Sequence, residues 1–341
     1  MTATLTRRGL GLLAAGALLA RPARAAGSTL VAATFPGVWE DAYRKVLTPL
    51  VKQSGYDLVI APALAQDQLA KIMASPGHPA FDSLLMSPGQ TDVAVRHGLI
   101  QKVDPAKLSN WGKLDPSFQT AYGPTVTVEV NGIAYNPDLV PRPSGYRDLV
   151  TNPAYEGKVS WTGFESNTAV MAYTEIAKIF GKGPDDMDAV FKLFRDHPAN
   201  LALVVDSTNH QMSMYQQGDI AVFMCSTNNV AHLKALGLHC EFVHPETGSP
   251  AAPVTLHLTA GSENADAVYA YMDAAISKPA QDALKLPPTE MFPTNSEVDL
   301  TPSIAAYVTK AQVKTLVYPD WVSINKNRDA WTKQFDTLAA R

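Results

Sequence analysis

His232, His239, Cys240 and His244 are the densest gathering of metal-capable side chains in this chain. A zinc site needs three or four such ligands converging on one point. His239 and His244 are five residues apart on or beside an apolar run, so a strand there projects them to opposite faces of the pleat. Scattered surface histidines are the simpler reading, and no metal is expected. Signatures of covalent or phosphoryl chemistry are missing as well. There is no Gly-x-Ser-x-Gly elbow, no His-Glu-x-x-His, no Gly-x-x-x-x-Gly-Lys and no Cys-x-x-Cys. The 8 histidines and 32 acids leave room for a triad assembled across the fold, so an exported hydrolase stays open as an alternative. One stretch has a different promise. In "TLVAATFPGVWEDAYRKVL" (29–47) a short apolar strand hands over to a helix, with Phe35 and Trp39 at the junction. Helix N-termini at the carboxyl ends of parallel strands face the crevice where open α/β sheets bind ligands. Trp39 is therefore either a ligand-facing aromatic or a staple of the helix to the sheet.

The elements that must position these residues alternate. Apolar runs predict strands at 29–33, 56–61, 81–86, 126–135, 157–161, 201–205, 219–225, 239–243 and 254–258. Amphipathic periodicity predicts helices at 39–53, 66–74, 89–97, 168–180, 185–197, 210–217, 228–236, 264–277, 279–285, 302–311 and 325–339. Strands alternating with helices imply mostly parallel sheets covered on both faces. The 25 prolines concentrate in connections such as 141–143, 245–253 and 287–293, which marks turns rather than disorder.

Residues 1–25 read as a secretory signal: a basic start with Arg7-Arg8, an apolar run from Gly9 to Ala20, and the small-residue end Ala23-Arg24-Ala25. The run is shorter than the ~20 residues that a membrane-spanning helix needs. The arginine pair suits twin-arginine export to the periplasm. Four of the 28 basic residues lie in this segment and none of the 32 acids does, so 24 basic residues remain against 32 acidic ones, net −8. An acidic exported chain is a poor partner for nucleic acid or an anionic membrane. With only 2 cysteines it is no disulfide scaffold.

Six segments, in order, carry a resemblance: "PAFDSLLMSPGQTDVAVRHGLIQKVDPAKLSNWGKLDP", "VNGIAYNPDLV", "YQQGDIAVFMCSTNNV", "AGSENADAVYAYMDAAISKPAQDAL", and the closing "FPTNSEV" and "VYPDW". Together they resemble the extracellular solute-binding proteins that feed ABC importers, in the polyamine-type branch related to thiamine and ferric-iron binders. The resemblance implies an α/β, two-lobed (type II) periplasmic binding fold, each lobe a mostly parallel sheet flanked by helices. Lobe 1 is then 26–127 plus 255–299 and lobe 2 is 128–254 plus 300–341, with crossings near 126–131 and 252–257. It implies a small-molecule solute held between the lobes, a permease and ATPase complex as partner, a monomer, no cofactor and no catalysis. It also places the Thr34–Trp39 loop at the cleft mouth, which favours a ligand role for Phe35 and Trp39.

At the positions where polyamine binders carry acids and aromatics, this chain has Thr168, Met171, Cys225, Ala252, Val254 and Phe292. None of the 12 tyrosines is adjacent to another, unlike the pair of the ferric binders. The implied ligand set is mainly neutral: Phe35, Trp39, Ser87, Gly89, Gln90, Ser166, Asn167, Thr168, Cys225, Ser226, Asn228, Thr255 and Phe292. Helix capping is the competing role for its serines, threonines and asparagines, and Glu165 is the acid placed to meet an amine. The set suits a small organic solute with an anionic or polar head and some apolar surface, a polyamine being the alternative. The two cysteines are expected as free thiols, Cys240 buried and Cys225 on the cleft wall. That expectation takes their two strands as parallel neighbours joined by one helix.

Overall fold

The computed structural model describes residues 29–339 except 76 and 202; the signal reading of residues 1–25 lies outside them. Eleven strands occur in these residues: β1 (Thr29–Thr34), β2 (Asp57–Pro62), β3 (Ser83–Met86), β4 (Ile100–Gln101), β5 (Gln119–Thr120), β6 (Gly123–Tyr135), β7 (Val159–Thr162), β8 (Leu203–Val205), β9 (Val222–Ser226), β10 (Glu241–Val243) and β11 (Ala251–Thr259). Their main order is β2-β1-β3-β11-β6-β9-β7-β8. The outer strands pair in parallel: β1 with β2 and β3, β7 with β8 and β9. The two long strands in the middle run antiparallel to their neighbours.

β6 changes partner along its length. Residues 125–130 pair with Ala251–Thr255 of β11, and Asn131–Tyr135 pair with β9 on one edge, while Ile133–Tyr135 take β10 on the other. The register of β11 slips between Val254 and Thr255. Two antiparallel strands therefore join a sheet built on β1 to a sheet built on β9. Each sheet has its own apolar core. One holds Leu30, Tyr43, Leu47, Leu256 and Met272; the other holds Trp161, Phe164, Tyr173, Phe194 and Phe335.

The helices form for reasons visible in the chain. Val38–Gln53 buries Trp39, Tyr43, Leu47 and Val51, one stripe at four-residue spacing, with Glu40 and Asp41 in its first turn and Lys52 in its last. Asn167–Phe180 is capped by Ser166, whose Oγ accepts from the Ala169 N–H, and it is buried without a break from Ala169 to Ala177. The last helix, Trp321–Ala339, begins four residues before its predicted start. It packs Ile324, Trp331 and Phe335 into the Trp161 core. The expected helix 302–311 is shorter, Pro302–Tyr307, because the Oγ1 and N–H of Thr309 bond Gln312 and open a new 3-10 turn.

One expected strand arrangement is corrected. β9 and β10 are parallel to each other but are not neighbours, because β6 lies between them. Along β9, Phe223 and Cys225 share a face with Ala134, Val230 and Leu233, while Val222 and Met224 face the Trp161 core. Cys225 is therefore fully buried beneath the following helix, and the expectation of a cleft-wall thiol does not hold. Both cysteines are free and lie in one apolar cluster. Burial raises the Cys225 thiol well above its ordinary value, and it pushes Cys240 up to about 11. Neither thiol should react with maleimide in the native protein at pH 7.5, and both should react after unfolding in urea. Rapid native labelling of Cys225 would contradict this placement.

Candidate functional site

Gly37, at φ 75°, closes the loop between β1 and its helix, a left-handed conformation that suits glycine. The loop delivers Trp39 to the first helical turn. Its ring meets Phe35 edge-on at 5.2 Å and Tyr43 at 5.7 Å, so it does staple the helix. It also lines a cavity between the two halves, so the stapling ring borders open space as well. Phe35 is half-buried against Trp39 and the first core, and it supports the ring rather than lining the cavity.

The cavity has two compartments that share Trp39, Asn228 and Met291. The wider, of about 260 Å³, is walled by Asn209, Met212, Asn228, Asn229 and His232 from one half and by Pro36–Trp39 and Pro288–Thr289 from the other. The narrower, of about 10 Å³, lies over β6 at Thr127–Glu129 and is closed by Glu290–Phe292, Ile304 and Val308. Glu290, also half-buried, sits at φ 42°, a strained conformation for a residue with a side chain.

Glu129 is the acid that the sequence reading missed. It is half-buried and is one of the residues that line the narrower compartment. Desolvation by the surrounding protein raises its carboxyl from 4.5 to about 7. The signal was present in "TVEVN", where Thr127, Glu129 and Asn131 occupy the polar phase of an alternating strand. Glu165, the acid expected to meet an amine, is exposed and lines neither compartment. Its loop is held by Arg328, which donates to the carbonyls of Phe164 (2.6 Å) and Glu165 (2.9 Å). In the wider compartment, the buried Nδ1 of His232 has no hydrogen-bond partner.

A second group of expected residues meets elsewhere between the halves. The amides of Gln90 and Asn167 bond each other reciprocally, at 2.8 and 3.3 Å, and Arg328 donates to the Asn167 Oδ1 at 3.1 Å. Gly89 lies against the Trp321 ring, and its carbonyl accepts from Asn325 at 2.8 Å. Ser87, almost buried, accepts through its carbonyl from the N–H and Oγ1 of Thr91. Thr168 donates to Asn131 on β6 at 3.4 Å, and Thr255 meets Thr125 across the crossing strands at 3.1 Å. Ser226 is buried at the start of the helix Thr227–Ala235. Of the expected ligand set, Trp39, Asn228 and Phe292 line the cavity, while Gln90, Asn167 and Gly89 form a contact that bridges the halves.

The bacterial extracellular solute-binding protein family model matches residues 45–314. Over 267 residues the chain is 22% identical to the spermidine/putrescine-binding periplasmic protein of Escherichia coli (strain K12), covering 74% of this chain and 75% of that one. A structure of an ABC transporter from Clostridium perfringens ATCC 13124 superposes with TM-score 0.74 at 21% identity, covering 91% of this chain and 99% of that one. A GABA receptor structure superposes with TM-score 0.76 at 19% identity, covering 92% and 98%. These likenesses show the α/β, two-lobed architecture of periplasmic binding proteins. Among the described residues, no helix is long and apolar enough to cross a membrane.

Proposed function

This chain belongs to the bacterial extracellular solute-binding protein family, and we propose that it captures its solute in the periplasm by closing two lobes around the Trp39–Glu129 cavity. Solute-binding proteins of this kind serve ABC importers. The delivery partner is accordingly a permease with its ATPase, and the receptor acts as a monomer. The lobes are residues 26–127 plus 255–299 and residues 128–254 plus 300–341. The hinge falls where β6 changes partner and β11 slips register, with the third crossing at 299–300 moving alongside them.

The observation that carries this reading is the Gln90–Asn167 amide pair. Its two sides come from helices that follow strands of different sheets, so it exists only while the halves are together. A contact of this kind lets the halves close over a small molecule held in the cavity between them.

A thermal-shift panel of amines, amino acids, phosphonates, thiamine and aromatic acids tests the proposal. One class should raise the melting temperature, as any ligand bound only by the folded state must. The same class should reduce the radius of gyration in solution scattering. A solute that is chemically consumed on incubation would overturn the receptor reading.

A further inference from the structure

We propose that the solute is a monocation, with its ammonium head in the narrow compartment at Glu129 and its uncharged body in the wide one. This rests on the receptor reading and specifies its substrate. About 10 Å³ over Glu129 is room for a single water-sized group, and an ammonium centre is of that size. The charged side chains lining this compartment are Glu129 and Glu290, both acidic. Among the described residues, no lysine or arginine lines either compartment. An anionic head would therefore meet repulsion with no compensating cation, which favours the polar over the anionic form of the expected head.

Two aromatic rings, Trp39 and Phe292, complete the wall beside Glu129. A carboxylate with an indole face is the pairing that attracts ammonium by charge and by cation–π interaction together. The wide compartment has no acid in its lining, so a second ammonium finds no partner there. What it offers instead is Met212 and Met291 for apolar surface, and the unpartnered His232 Nδ1 with Asn209 and Asn229 for one polar atom. That division matches a solute with one cationic end and a short, mostly apolar body.

Glu129 must be ionised to hold the cation, which couples capture to pH. The titratable groups around it are few: Glu290 from the adjoining segment and, on the wide side, His232 from the helix after β9. The helix starting at Val38 contributes the neutral Trp39, and the segment 304–308 contributes Ile304 and Val308. Burial holds the Glu129 carboxyl near 7 in the empty protein, so the ionised fraction rises about tenfold between pH 6 and pH 8.

Calorimetric titration with methylammonium, butylammonium, benzylammonium and choline chlorides, with benzyl alcohol and benzoate as matched controls, tests this. At least one ammonium probe should bind, about tenfold more tightly at pH 8 than at pH 6, with a proton released on binding. Glu129→Gln should weaken that probe at least tenfold, while circular dichroism and melting show the variant folded. Failure of every ammonium probe at millimolar concentration overturns the cation site. So does binding of benzoate or benzyl alcohol at equal strength, or undiminished binding by the variant. A non-cationic solute that contracts the particle irrespective of Glu129→Gln sinks the cation site and leaves the receptor standing.

Discussion

At pH 8, the ligand-free Glu129→Gln protein should melt several degrees above the wild type. The carboxyl titrates near 4.5 when unfolded and at about 7 in the fold. A carboxyl raised by folding stabilises the protein only while it is protonated. That contribution is complete below about 4.5 and is lost as pH rises through about 7. Each tenfold change in an ionisation constant corresponds to roughly 1.4 kcal/mol. The ionised carboxylate therefore weighs on the empty fold at pH 8 by up to about 3 kcal/mol, less whatever water in the cavity screens. Glutamine keeps the shape and removes the charge. Melting curves of both proteins should coincide at pH 4 and diverge as pH rises, with the variant the more stable. If the variant is less stable at every pH, the carboxyl is a structural hydrogen-bonding group and the cavity argument fails. Higher stability together with weaker cation binding is the pattern of a residue kept for its ligand.

Why Glu129 escaped a reading of the sequence, while Trp39 did not, is a matter of how each is announced. Trp39 stands one residue into a helix, just after a strand and a Pro-Gly loop, and strand-to-helix junctions recur at the ligand edge of α/β sheets. Glu129 lies in the middle of a thirteen-residue strand, where the apolar run masks one polar phase. Its neighbours in that phase, Thr127 and Asn131, are themselves buried, so nothing local sets Glu129 apart. Asn228 and Phe292 entered the expected set through the resemblance alone, and both line the cavity.

Cys225 was misplaced by face parity. The assumed neighbour of β9 was β10, but β6 intervenes, and the helix after β9 covers the Phe223–Cys225 face. Gln90 and Asn167 were recognised as polar groups at helix starts. That they satisfy each other is a property of how the halves meet, which local pattern does not encode. The order and bounds of most strands and helices followed from alternation and periodicity alone. Very short features, such as the two-residue β4 and β5 and the six-residue helix Tyr146–Thr151, were too brief to give a periodic signal.

Gly89→Ala should leave both cores folded and still weaken solute binding, by about 5- to 150-fold. A Cβ at Gly89 would lie 2.7 and 2.9 Å from two carbons of the Trp321 ring. That ring is held rigidly: Trp321 is almost buried, and its helix is anchored in the second core through Ile324, Trp331 and Phe335. The methyl group therefore has to push the helix Pro88–Arg96 away from the helix Trp321–Ala339. The strain is about 1–3 kcal/mol, typical of an overpacked contact, and at 1.4 kcal/mol per decade it gives the stated range. Alanine is the better helix former, by roughly 1 kcal/mol, so the first helix itself is not weakened. The displacement also stretches the Asn325 bonds to the Gly89 carbonyl and to Asp92, and next to them the Gln90–Asn167 pair. All of these join elements packed on different sheets. The strain consequently falls on the closed arrangement and not on either core. Solution scattering should show the variant expanded relative to wild type without solute, and contracting to the wild-type radius only at higher solute concentration. A variant that melts lower by the full strain but binds with unchanged affinity would mean that the Gly89–Trp321 contact belongs to a fixed scaffold and does not open.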